Sequence, residues 1–116
     1  MTATAPGTAT TTTTGESVAV RVEVDGPRAT LTLDQPRRRN ALSVSTMREL
    51  TAALHDVAAR DGVRVIVLRA EGPAFSAGHD LSEMVERTLD EERLVFAVCT
   101  ELMTALHAVP QPVIAA

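Results

Sequence analysis

The residues best placed to do chemistry are small ones. In Pro73-Ala74-Phe75-Ser76-Ala77-Gly78-His79-Asp80-Leu81, the Ser76-Ala77-Gly78 run carries little side-chain bulk, so a ligand can lie against the main chain. Gly78 is free to adopt dihedrals that a residue with Cβ resists. Asp80, with Glu83 three residues on, has the form of a helix N-cap and its return partner, which turns the amides before and within that first turn towards the loop. Such donors can hold a developing negative oxygen. Fixed in advance in a water-poor site they are effective, and losing one costs about 2.7–4 kcal/mol. Taken alone, the loop is also what a tight strand-to-helix connection with a capping Asp80 looks like.

Other chemistry-bearing side chains are weaker candidates. His79 carries an imidazole that titrates near neutrality. No second His, Cys or carboxylate group accompanies it at ligand spacing, so neither a catalytic role for the side chain nor a metal site is expected. His55 and His107 fall in helical stretches and read as partly exposed helix residues. Glu83 and Glu86 form a carboxylate pair only on paper, since a helix surface turns both to solvent. Arg37-Arg38-Arg39 is the one dense cationic patch, and by itself it is a solvated loop charge run. Cys99 is single and cannot form an internal disulfide.

The elements that position these residues follow from periodicity. Val18, Val20, Val22 and Val24 alternate with Arg21 and Glu23, a strand with one wet side. Asp25-Gly26-Pro27 turns the chain, and Ala29, Leu31 and Leu33 alternate with Thr30 and Thr32 to close a β-hairpin. After the Asp34-Gln35-Pro36 break, Met47, Leu50, Leu54, Val57 and Ala58 recur at helical spacing. A helix from about Val44 to Arg60 is expected, capped by Ser43 or by a competing Thr46/Glu49 box. Val63–Ala70 has the β-branched run of a strand buried on both faces. Past the loop, a short helix is expected over Leu81–Val85. A longer one follows with Leu94, Val98, Leu102, Ala105/Leu106 and Val109 on one face, ended by Pro110 and Pro112. Hairpin, helix, strand, helix, strand is the order of a mixed α/β strand–helix spiral.

Ala74-Phe75-Ser76-Ala77-Gly78-His79-Asp80-Leu81, preceded by Gln35-Pro36-Arg37-Arg38-Arg39-Asn40-Ala41-Leu42-Ser43, resembles the enoyl-CoA hydratase/isomerase (crotonase) superfamily. The resemblance covers about residues 17 to 116. It implies a crotonase-like α/β spiral of ββα units, cut within its second turn, and an acyl-CoA thioester as partner. Coenzyme A would enter as part of the substrate, with no separate cofactor. The residue after the loop glycine, here His79, would give its backbone N–H to an oxyanion hole for the thioester enolate. Ala77, Gly78, His79, Asp80 and Leu81 would belong to the substrate- and CoA-binding set, together with Arg37 and Arg39, which would grip phosphate, and Ala41, which would offer its main chain. Family members often place a smaller residue at His79, a departure that bears on the acyl channel. The second oxyanion donor and the paired glutamates of hydratases would lie beyond Ala116. The resemblance also implies a homo-oligomer, trimer or hexamer, for a full-length protein.

Composition narrows the alternatives. In 116 residues, 45% are hydrophobic and 22% charged, the range of one small globular domain. Residues 1–16 are a Thr/Ala-rich segment expected to form a disordered tail, without the features of a secretory or transit peptide, and 17–116 form the domain. A net charge of −4 and no aromatic-interleaved basic stripe argue against nucleic acid. No apolar run approaches the length that spans a bilayer. With the family resemblance, which implies a lyase-type enzyme of fatty acid metabolism, the expectation is a cytoplasmic protein, incomplete and inactive as this chain. The alternative is a non-catalytic remnant or CoA-binding, self-association module.

Overall fold

The computed structural model describes residues 10–11, 19–72, 75–76, 78 and 88–116. Strands β2 (Val20–Asp25) and β3 (Arg28–Leu33) form the expected hairpin across Gly26-Pro27, with Val22 opposite Leu31. Gly26 takes a φ of 61°, a left-handed turn conformation that a glycine adopts without Cβ strain. Two residues of the Thr/Ala-rich segment form β1 (Thr10–Thr11), which extends the sheet antiparallel to β2. The rest of that segment lies outside the described residues.

Helix α1 (Val44–Ala58) starts where Ser43 accepts a hydrogen bond from the Thr46 amide at 3.1 Å. Ser43 therefore wins the competition for the cap. Glu49, the acidic partner of the rival box, instead accepts from the Val20 amide at 2.9 Å and ties helix to hairpin. β4 (Val65–Ala70) runs parallel to β3, and β5 (Val113–Ala115) parallel to β4, giving the order β1-β2-β3-β4-β5. Gln111 secures the return by donating to the carbonyls of Ala58 and Val63, each at 3.0 Å.

β4 departs from its expected burial on both faces. Ile66 is fully buried, but Val65, Val67, Leu68 and Ala70 are half-buried and Arg69 is exposed. The reason is the layering: α1 packs chiefly over β2 and β3, and helix α2 (Leu89–Ala108) packs on α1 rather than on the sheet. The core consequently joins Leu31 and Leu33 of the hairpin to Met47, Leu50, Leu54 and Val57 of α1.

α2 begins in a complete capping box between Thr88 and Glu91 and ends at Val109, whose extended backbone precedes Pro110 as steric restriction before proline requires. Its inward stripe is Val95, Val98, Leu102 and Ala105. Leu94, expected on that stripe, is 42% exposed: it sits one residue off the line that faces α1. The short helix expected over Leu81–Val85 lies outside the described residues. Among the described residues, no helix is long and apolar enough to cross a membrane.

Candidate functional site

The candidate site is built where the segment after β3 meets the segment after β4. Pro36–Arg38 forms one 3-10 turn, and the chain then takes two left-handed residues, Arg39 at φ 53° and Asn40 at φ 54°. Asparagine is among the few residues with Cβ that enter this region readily. Its side chain and backbone hold the bend closed, because the Gln35 amide donates to Asn40 Oδ1 at 2.8 Å and the Asn40 amide donates to the Gln35 carbonyl at 2.9 Å.

Asn40 also reaches the second segment. Its Nδ2 donates to the Glu71 carbonyl at 2.9 Å, just past the end of β4. Ser76 Oγ donates to the Asn40 carbonyl at 2.9 Å and accepts from the Gly78 amide at 3.0 Å. The Gly78 carbonyl in turn accepts from the Leu42 amide at 2.7 Å. Gly78 holds φ at 92° and Gly72 at 88°, a region that a residue with Cβ resists. The two segments also touch directly: a Cβ on Gly72 would lie 2.6 Å from Pro36 Cβ, closer than van der Waals contact permits.

An ion-pair cluster braces the same corner. Arg21 of β2 meets Glu71 at 2.7 Å and Asp34 at 3.6 Å. Its hydrogen bond to Glu71 raises the guanidinium pKa above the ordinary arginine value, with burial opposing and the charge of Asp34 assisting. Glu71 therefore has its carboxylate held by β2 and its carbonyl held by Asn40.

Of the residues singled out from sequence, Ala41 is half-buried between Asn40 and the Leu42–Gly78 bond, and Arg37 and Arg39 are exposed on the preceding turn. Ala77, His79, Asp80 and Leu81 lie outside the described residues, and with them the amide assigned to the oxyanion. The Gly78 amide is occupied by Ser76 Oγ, so it is not the donor a ligand would use in this arrangement. His55 and His107 are exposed. Among the described residues, no group of three His, Cys, Asp or Glu side chains is placed to hold a metal ion.

Sequence reasoning quoted Asn40 within a motif but gave it no part, and it missed the Ser76 relay and the Arg21 cluster. A signal for Asn40 was present, since an Asn after a Pro-initiated turn is a common left-handed residue. The Arg21 cluster had none, because its members lie on three separate elements.

Comparison with known proteins decides what this corner belongs to. The sequence model of the enoyl-CoA hydratase/isomerase family matches residues 27–116. The chain belongs to that family. It is 41% identical over 95 residues to the human mitochondrial enoyl-CoA hydratase domain-containing protein 3, covering 80% of this chain and 31% of that protein. The crystal structure of the same human protein superposes with a TM-score of 0.81 at 32% identity, over 84% of this chain and 39% of that one. An enoyl-CoA hydratase from Mycobacterium smegmatis gives 0.80 at 40% identity, over 85% and 39%. The fold is thus crotonase-like, mixed α/β, and the chain spans about a third of the length of the curated relatives it matches.

Proposed function

We propose that this chain carries the acyl-CoA-binding part of an enoyl-CoA hydratase/isomerase site. In this reading the His79 backbone N–H donates to the thioester oxygen as an enolate develops. Ala77, Gly78, Asp80 and Leu81 line the acyl end, and Arg37, Arg39 and the Ala41 main chain hold the CoA moiety. The observation that carries it is the hydrogen-bonded junction of the two segments: Leu42 to the Gly78 carbonyl, and Gly78 through Ser76 to the Asn40 carbonyl. It joins the arginine-bearing turn to the start of the small-residue loop, as one ligand touching both requires.

The physics of the step follows from preorganisation. Charge moving onto a thioester oxygen is stabilised most by amides that need no reorientation when it arrives, and Ser76 and Leu42 pin the backbone immediately before His79. Water addition to a trans-2-enoyl-CoA, or a shift of its double bond, also needs groups positioned for proton transfer. By the family resemblance those carboxylates and the second donor lie beyond residue 116. The 116 residues alone are therefore proposed to bind without measurable turnover.

Reversing Arg37 and Arg39 to Glu tests the assignment of the CoA end. Calorimetric titration with coenzyme A should show weaker binding, with the loss shrinking as salt rises; unchanged affinity removes both arginines from the site. A second reading, a self-association module, is favoured by one observation: Leu89, Phe96 and Met103 of α2 and Ile114 of β5 are exposed, Phe96 at 71%. Apolar surface of this kind associates. Sedimentation equilibrium of the wild type against Phe96→Ser distinguishes a dimerising chain from a monomer.

A further inference from the structure

Asn40 is 2% exposed, sits in a left-handed conformation, and uses each part of its amide against a main-chain group of fixed polarity. The Gln35 amide can only donate and the Glu71 carbonyl can only accept, so the side-chain orientation is set by its partners rather than assumed. Gln35 opens the arginine-bearing turn, and Glu71 opens the segment leading to Ser76 and Gly78. One side chain therefore clamps the entry of both.

We propose that Asn40 is a positioning residue that, with Ser76 as its relay, holds the turn of Arg37, Arg39 and Ala41 in fixed register with the Gly78 main chain. The clamp has three tiers. Asn40 Nδ2 holds Glu71 at the base, Ser76 Oγ joins the Asn40 carbonyl to the Gly78 amide above it, and the Leu42 amide closes on the Gly78 carbonyl. The Ser76 hydroxyl accepts and donates at once, so removing it breaks the bonds to the Gly78 amide and the Asn40 carbonyl together. Close contact of Gly72 with Pro36 and the grip of Arg21 on Glu71 limit how far the base can relax. Loss of Asn40 is thus felt upward, at Leu42 and Gly78, more than downward into the sheet.

The ligand consequence rests on the acyl-CoA reading above; the clamp itself does not, and the test separates them. Asn40→Gly keeps the left-handed backbone and deletes both side-chain bonds. In the 116-residue chain, amide exchange followed by NMR should speed about tenfold at Leu42, the loss expected from one or two net hydrogen bonds. Exchange at Val98 and Leu102 in α2 should stay unchanged. An unchanged Leu42 rate, or a rise shared equally by α2, overturns the clamp. Where wild type binds coenzyme A, Asn40→Gly should raise the dissociation constant about tenfold, while Val57→Ala, a core truncation distant from the turn, leaves it unchanged. Equal effects from the two variants, or no effect of Asn40→Gly, overturn the positioning role. Absence of wild-type coenzyme A binding sinks the acyl-CoA reading and leaves the clamp to be decided by exchange. Should Asn40→Gly not fold, Ser76→Ala, which cuts only the upper relay, is read by the same exchange and titration.

Discussion

The two α-helices among the described residues are both well capped, yet they meet different surroundings. α1 is sealed between the hairpin and α2, with Met47, Leu50, Leu54 and Val57 at or below 3% exposure. α2 is longer but buries only the narrow line of Val95, Val98, Leu102 and Ala105 against α1, leaving Leu89, Leu94, Phe96 and Met103 in the open. Local propensity forms both helices, whereas neighbours decide which hydrophobic residues stabilise the fold. Open grooves beside Cys99 and His107 and between Arg48 and Phe96 run along α2, away from the Asn40 junction. These hollows mark open helix packing and not the candidate chemistry.

Three substitutions sharpen that contrast. Leu54→Ala in α1 should cost about 2–5 kcal/mol in urea unfolding, since a fully buried side chain leaves a cavity that the sheet cannot close; a loss comparable to a surface change would mean α1 is not the core helix. Thr88→Ala removes the capping box of α2 and should cost about 1 kcal/mol, read as a shift of the unfolding midpoint with an unchanged slope. Phe96→Ser on the open face of α2 should fall within about ±0.5 kcal/mol at protein concentrations where the chain is monomeric. A larger destabilisation there would show that α2 has a covered outer face.

Legibility followed the range of the interaction. The hairpin was readable because alternation along Val20–Val24 and Ala29–Leu33 is a local signal, and α1 because Ser43 and the spacing of Met47, Leu50, Leu54 and Val57 are local too. The inward line of α2 was misplaced by one residue at Leu94, because both phases of the apolar pattern are helical and only contact with α1 chooses between them. Burial of β4 on both faces was overestimated for a related reason: a β-branched run states what a strand can bury, not what lies above it. At the site, the motif residues were visible as types, but Glu49 bonding Val20 and Arg21 gripping Glu71 join positions that no spacing rule connects.

The amino-acid order alone determined the hairpin, α1, β4 and α2, their sequence along the chain, and two motifs that resemble the enoyl-CoA hydratase/isomerase family. Those depend on dihedral preference and periodicity, which act within a few residues. Tertiary structure alone decided that Asn40 is the joint between the motifs and that α2 presents an apolar flank. Both require segments remote in sequence to arrive at one place, and hydrogen-bond partners and burial are properties of that meeting and not of any residue by itself.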